Sequence, residues 1–262
     1  MILRRLTTAL RRQDWFTVVL EIMIVVVGVF VGLQASNWNA AQAEARLGRD
    51  YVKRLARDLV EDLSGLNAEI TYYADVLKSI HQADALLNET DPDPRALVVN
   101  AYRATEVSFT APVRATWDEI VSGGHLDLLP QGVIDAGLAQ YYAYDIAQDV
   151  YRAGTDSDYR RTVRRIIPMN IQMEMRASCS DVRDAIGNIV GFVEDCTFTA
   201  DPGVLKETAA ALRNDPAVAA DLRMQYSFAV SATLNLDGTR KVLENALAAL
   251  GVAPQATAEA EP

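Results

Sequence analysis

His81 and His125 are the only imidazoles in the chain, so acid–base chemistry near neutral pH would start from one of them. His81 has polar neighbours in a helical pattern. His125 follows Gly123-Gly124, and Asp118 and Asp127 lie close enough in sequence to orient a base. A chain with 35 acidic residues places carboxylates near a histidine by chance, however. No Gly-x-Ser-x-Gly, phosphate-cradling glycine loop or HExxH segment accompanies them. No catalytic residue, cofactor or metal is therefore expected.

A second group of residues suits binding better than catalysis. Tyr141, Tyr142, Tyr144, Tyr151 and Tyr159 supply amphipathic rings near Trp117, and Arg160, Arg161, Arg164 and Arg165 crowd guanidiniums onto about one and a half helical turns. Arginines beside aromatics fit an anionic or carbohydrate-bearing ligand. Trp117, Tyr141, Tyr142 and the four arginines thus form a candidate ligand surface. The competing reading packs the rings into a core with their hydroxyls at its edge, and leaves the arginines on a solvated face.

A third group lies in an apolar run. Glu21, Val25, Gly28 and Gly32 are spaced to fall on one stripe of a helix. Gly28-xxx-Gly32 lets a second backbone approach, and a carboxyl within a membrane costs a few kcal/mol unless it finds a partner. This face is expected to meet a second copy or another inner-membrane protein.

The run itself, residues 15–38, is a membrane span by length. Its 24 residues make about 36 Å of helix against a hydrocarbon core of about 30 Å. Trp15 and Trp38 mark its two interfaces. Arg4, Arg5, Arg11 and Arg12 precede it with only Asp14 opposing them, whereas Arg46, Arg49 and Lys53 beyond it alternate with Glu44 and Asp50. That bias places residues 1–14 in the cytoplasm and the bulk of the chain outside. Ala41-Gln42-Ala43 resembles a signal-peptide cleavage site, but it lies far past Leu33, and the run exceeds the 7–15 residues of a signal core. Retention as a single-pass anchor is the expectation.

The net charge of −10 disfavours nucleic acid as a partner. Cys179 and Cys196 are the only cysteines. In an oxidising compartment they would close a disulfide contributing about 3 kcal/mol, the alternative being two buried thiols.

Helical periodicity dominates what remains. Leu55, Leu59, Leu66, Ile70, Tyr73, Leu77, Ile80 and Leu87 predict a long amphipathic helix growing out of the span, with Arg54/Asp58 and Arg57/Glu61 paired on its wet side. Asp91-Pro92-Asp93-Pro94 stops it and starts another. Gly123-Gly124 closes a short helix through Trp117, and a further stretch runs from Gln131 to Pro168 with an interruption near Gly154-Thr155-Asp156. The region between the cysteines allows a hairpin. Asp201-Pro202 and Asp215-Pro216 open two more helices, the second with Val218, Leu222, Ala229, Leu236, Leu243, Leu247 and Leu250 on its apolar face and Gly238 as an expected kink.

The segments Glu21-Ile-Met-Ile-Val-Val-Val-Gly28, Gly32-Leu-Gln-Ala-Ser-Asn-Trp38-Asn39 and Thr116-Trp117-Asp118-Glu119-Ile120-Val121-Ser122-Gly123-Gly124-His125-Leu126-Asp127-Leu128 resemble an uncharacterised family of bacterial single-span membrane proteins. The resemblance implies a plasma-membrane protein with a helical extracytoplasmic part. It supplies no activity and no site residue.

The expected fold is all-α: an N-terminal transmembrane helix continuing into a long-helix antiparallel bundle over residues 39–252, with a short disulfide-closed irregular or hairpin insert and a disordered tail over 253–262. The leading functional expectation is a non-enzymatic, membrane-anchored helical module. The alternative is a cell-envelope enzyme acting on cell-wall or lipid-derived substrate, with His125, Asp118 and the arginines in its site.

Overall fold

The computed structural model describes residues 15–252. The expected basic cytoplasmic segment, residues 1–14, and the expected disordered tail, residues 253–262, lie outside the described residues. The chain is all-α, apart from one two-stranded hairpin among the described residues. It divides into two compact units, one reaching to Tyr51 and the other starting at Val52.

Helix α1, Trp15–Asn88, contributes to both units. In the first unit its side chains are exposed from residue 19 through residue 46. Its apolar part is long enough to cross a membrane, and none of that part is buried. Val25 and Phe30, for example, are 63% and 59% exposed.

In the second unit α1 changes character. Leu55, Leu59, Asp62, Leu66, Glu69, Tyr73, Val76, Ile80 and Ala83 are all buried, and they follow one another in alternating steps of four and three residues. With Asp58, Ala68, Tyr72 and Ser79 buried beside them, they make a broad inward-facing seam along the helix. The last long helix carries the same rhythm: Val218, Leu222, Gln225, Ala229, Ala232, Leu236, Thr239, Leu243 and Ala246 are buried, with Leu247 beside the last of them. The two run antiparallel. His81 meets Tyr226 edge to face at 5.4 Å, whereas Asp62, Leu66 and Glu69 share a cavity with Thr239, further along the second helix.

The remaining helices are short because the chain supplies a stop every few turns. They are α2 (Pro94–Arg103), α3 (Ala115–Ser122), α4 (Gln131–Asp135), α5 (Leu138–Ala143), α6 (Ile146–Thr155), α7 (Asp158–Ile166), α8 (Met169–Ser178), α9 (Pro202–Asn214) and the long α10 (Pro216–Ala249). Asp93, Asp145, Ser157, Asp201 and Asp215 each cap a helix by accepting a backbone N–H. Three of these caps precede a proline at the first helical position, as the Asp-Pro pairs predict. Helices α4 to α7 pack along α10, and α2 packs on α9 and α7.

Several local expectations differ from the structure. The stretch from Gln131 to Pro168 has the interruption expected near Asp156, but it is also broken at Gly137, in a left-handed conformation, and at Tyr144, which makes it four helices. Arg54 reaches across to Glu119 at 2.7 and 3.1 Å, and Asp58 is buried beside Arg57 instead of lying on the wet face. A bidentate pair with a distant helix holds Arg54 better than a single contact one turn away. Gly65 has a packing reason: a Cβ there would lie 2.7 Å from Thr110 Cγ2.

Leu59 is fully buried and Val60 is 40% exposed. Leu59→Ala should therefore cost about 2–5 kcal/mol, and Val60→Ala under about 0.5 kcal/mol, as read from urea midpoints followed by circular dichroism.

Candidate functional site

Cys179 and Cys196 are bonded, 17 residues apart, and the segment they close is the hairpin of β1 (Asp181–Arg183) and β2 (Ile189–Phe192). Its turn is built by Asp184, whose Oδ1 accepts the N–H groups of Ile186 and Asn188, and by Gly187 at φ +96°. The hairpin sits on α1 and α2. Phe192 packs edge-on against Tyr72 at 4.9 Å and donates its N–H to Asp75 Oδ2 at 3.3 Å. A Cβ at position 191 would collide with the Asp75 carboxylate, so Gly191 is what lets the strand approach. Arg103 lies over the Phe192 ring at 5.1 Å and donates to the Val193 carbonyl.

Two cavities adjoin here, with Arg103 and Phe192 in the lining of both. The inner one, about 50 Å³, lies beside the disulfide, with Tyr102, Glu106, Arg176 and Asp181 in its walls. The outer one, about 460 Å³, is lined by Asp75, Lys78, Ser79, Gln82 and Glu194. A volume of that size falls within the roughly 300–1,000 Å³ of ordinary small-ligand sites.

The carboxyls of the inner cavity are already engaged. Glu106 takes Arg164 at 2.8 Å and Arg160 at 3.7 Å, neither of which lines the cavity. Asp181 accepts from the Tyr72 hydroxyl at 3.4 Å. Burial raises the Asp181 pKa and the Glu106 charge raises it further, against the pull of Tyr72, Arg176 and Arg183. Burial lowers the pKa of Arg103, with Asp75 and Tyr72 opposing. Arg103 Nε and the Tyr102 hydroxyl are shielded from solvent and lack a hydrogen bond of ordinary geometry, although Arg176 stands beside Tyr102.

The residues singled out in the sequence fall into separate groups. Trp117 and Tyr142 are buried and stacked at 5.0 Å with 18° between their planes, and Tyr141 donates to Asp62 at 3.0 Å. These rings line the interior around Asp62. The four arginines divide between two faces. Arg160 and Arg164 turn inward to Glu106, with Arg164 also over the Tyr102 ring at 3.5 Å. Arg161 and Arg165 stay exposed, the first against Asp158 and the second on the Arg161 carbonyl. Asp118 is paired with Arg114. Gly28 and Gly32 have open space around them on α1. Among the described residues, no three His, Cys, Asp or Glu side chains gather closely enough to hold a metal ion.

Tyr102, Arg103, Arg176 and the hairpin cavities carry no sequence signal, because they depend on contacts about 100 residues apart along the chain. Asp62 and Glu69 do carry one. Both occupy seam positions of α1, among the leucines, where a carboxyl does not belong unless it is paired or neutral. Compared with protein-family models, curated proteins and solved structures, the chain matches none.

Glu69 is 1% exposed, and neither carboxyl oxygen has a hydrogen bond of ordinary geometry. Burial pushes its pKa from 4.5 to about 8; the nearby Thr110 amide opposes the shift and Asp145 adds to it. Asp62 is pushed from 3.8 to about 6 by burial, against hydrogen bonds from the Val113 amide and Tyr141, with Asp58 and Glu61 adding to the rise. Both folded-state values lie above the unfolded ones, so the folded chain binds more protons and loses stability as pH rises. For Glu69 the loss runs from pH 4.5 to about 8, at up to about 1.4 kcal/mol per pH unit. Chemical denaturation of Glu69→Gln between pH 6.5 and 8 should show a shallower decline and higher stability at pH 8. An unchanged slope would contradict the assignment.

Proposed function

We propose that the chain is a membrane-anchored, non-enzymatic helical module of the bacterial inner membrane: a scaffold, accessory subunit or ligand-responsive partner of another membrane protein. In this reading residues 15–38 cross the bilayer once, residues 1–14 face the cytoplasm, and residues 39–252 form the extracytoplasmic part. The observation that carries it is the exposed apolar surface of α1, where every large hydrophobic side chain from residue 19 to residue 33 is uncovered. Water is a poor solvent for such a surface, and lipid is a good one.

Two further features support the orientation. A disulfide persists in an oxidising compartment. The arginines ahead of the span favour an inside N-terminus. The binding role, as opposed to a catalytic one, rests on what the polar side chains do. Asp118 is tied to Arg114, Glu106 to two arginines, and Asp62 to Tyr141 and the Val113 amide, so these groups serve packing.

The face through which a partner is met is the stripe of Glu21, Val25, Gly28 and Gly32. Open space at both glycines leaves room for a second helix to approach at backbone distance. A photo-activatable residue in place of Val25 should yield a crosslinked product in native membranes, with a second copy or with another membrane protein. Gly28→Leu and Glu21→Gln should each cut that yield severalfold. The same product at the same yield in both variants would sink the interface.

A further inference from the structure

Two donor atoms beside the disulfide, the Tyr102 hydroxyl and Arg103 Nε, have no acceptor of ordinary geometry, while Arg176 is placed as a donor toward the Tyr102 hydroxyl and near the charge of Glu106. The Tyr102 hydroxyl is shielded from solvent on a side chain only 5% exposed, and Arg103 Nε is likewise shielded, neither with an acceptor among the described residues. Arg176 stands at the same wall. A buried donor without an acceptor is costly, so native proteins rarely leave several in one place.

Acceptors within the cavity do not answer them. Glu106 is held by Arg160 and Arg164 from outside the cavity, and Asp181 takes the Tyr72 hydroxyl. An oxyanion is a group that takes two or three N–H and O–H donors at once. Arginine forks and phenols are the usual donors to a carboxylate.

The inner cavity, about 50 Å³, has room for a head group and no more. The outer cavity, about 460 Å³, shares Arg103 and Phe192 with it and so receives whatever the head group is attached to. Its walls combine the Phe192 ring with Asp75, Glu194, Lys78, Ser79 and Gln82. They suit a short body with polar and positively charged atoms better than a lipid chain.

We propose that the hairpin cleft binds the carboxyl end of a short peptide, its carboxylate between Tyr102, Arg103 and Arg176 and its preceding residue against Phe192 in the outer cavity. The disulfide holds this wall in place, since it closes the segment that supplies both Phe192 and Asp181. The proposal rests on the ligand-responsive form of the function given above. Binding by the isolated chain, however, is read without any membrane partner.

The test is titration calorimetry of the full chain in mild detergent with the dipeptide alanyl-leucine, its C-terminal amide, and acetate. Saturable binding of the free dipeptide, at least tenfold tighter than the amide, is the expected result. Tyr102→Phe removes one hydroxyl, and Arg176→Gln alters an exposed side chain, so both should fold. Each should weaken the free dipeptide severalfold and narrow its advantage over the amide. Acetate binding that is lost in the same variants would support the head-group assignment. No saturable binding of dipeptide or acetate would overturn the proposal and leave water as the acceptor, and so would equal binding of acid and amide. A failed partner crosslink with intact dipeptide binding would remove the membrane interface and leave the cleft standing.

Discussion

Apolar surface has to be taken out of water, and α1 meets that requirement in two different ways along its length. From residue 19 to residue 33 its large hydrophobic side chains are exposed, none of them buried among the described residues. A helix that is apolar all round is suited to surroundings that are apolar on every side, and this one is long and apolar enough to cross a membrane. From Leu55 onward the apolar positions narrow to one seam, which the chain covers with its own residues. The change from all-round to one-sided hydrophobicity separates the first unit from the second, and the short helices belong to the second.

The seam is not purely apolar. Asp62 and Glu69 occupy its positions on α1, and Thr239 on α10 lines the same small cavity. A buried carboxylate without a partner is costly enough that the group keeps its proton, and Glu69 does so to about pH 8. Polar groups in a seam also penalise shifted registers, since any slip by one step leaves them facing apolar neighbours. The aromatic cluster follows from the same acid. Tyr141 reaches Asp62 with its hydroxyl, Tyr142 stacks on Trp117, and together they fill the space a charged group would otherwise have to share with water.

What the sequence disclosed was chiefly local. Aspartate followed by proline marks a helix start for reasons internal to four residues, and α2, α9 and α10 begin where those pairs stand. The apolar rhythm of α10, the long α1 and the pairing of two lone cysteines were legible for the same reason. The burial of Asp62 and Glu69 was legible in principle, since both fall seven residues apart among Leu55, Leu59, Leu66 and Tyr73. Partner choice was not. Arg54 chose Glu119, 65 residues away, over a neighbour one turn along the helix, and Arg160 and Arg164 turned to Glu106 while Arg161 and Arg165 kept to the surface. Periodicity separates the two arginine faces of α7, but it does not say which face meets an acid. The hairpin cleft was out of reach altogether, because it exists only where a disulfide-closed loop lands on helices about 90 to 117 residues away along the chain.

The central claim is that the exposed apolar part of α1 crosses a membrane and places the helical domain outside. Paired alkaline-phosphatase and green-fluorescent fusions after Leu250, expressed in a bacterial host, read it directly. Phosphatase activity without fluorescence is the predicted result. Fluorescence without phosphatase activity would put the domain in the cytoplasm and contradict the account.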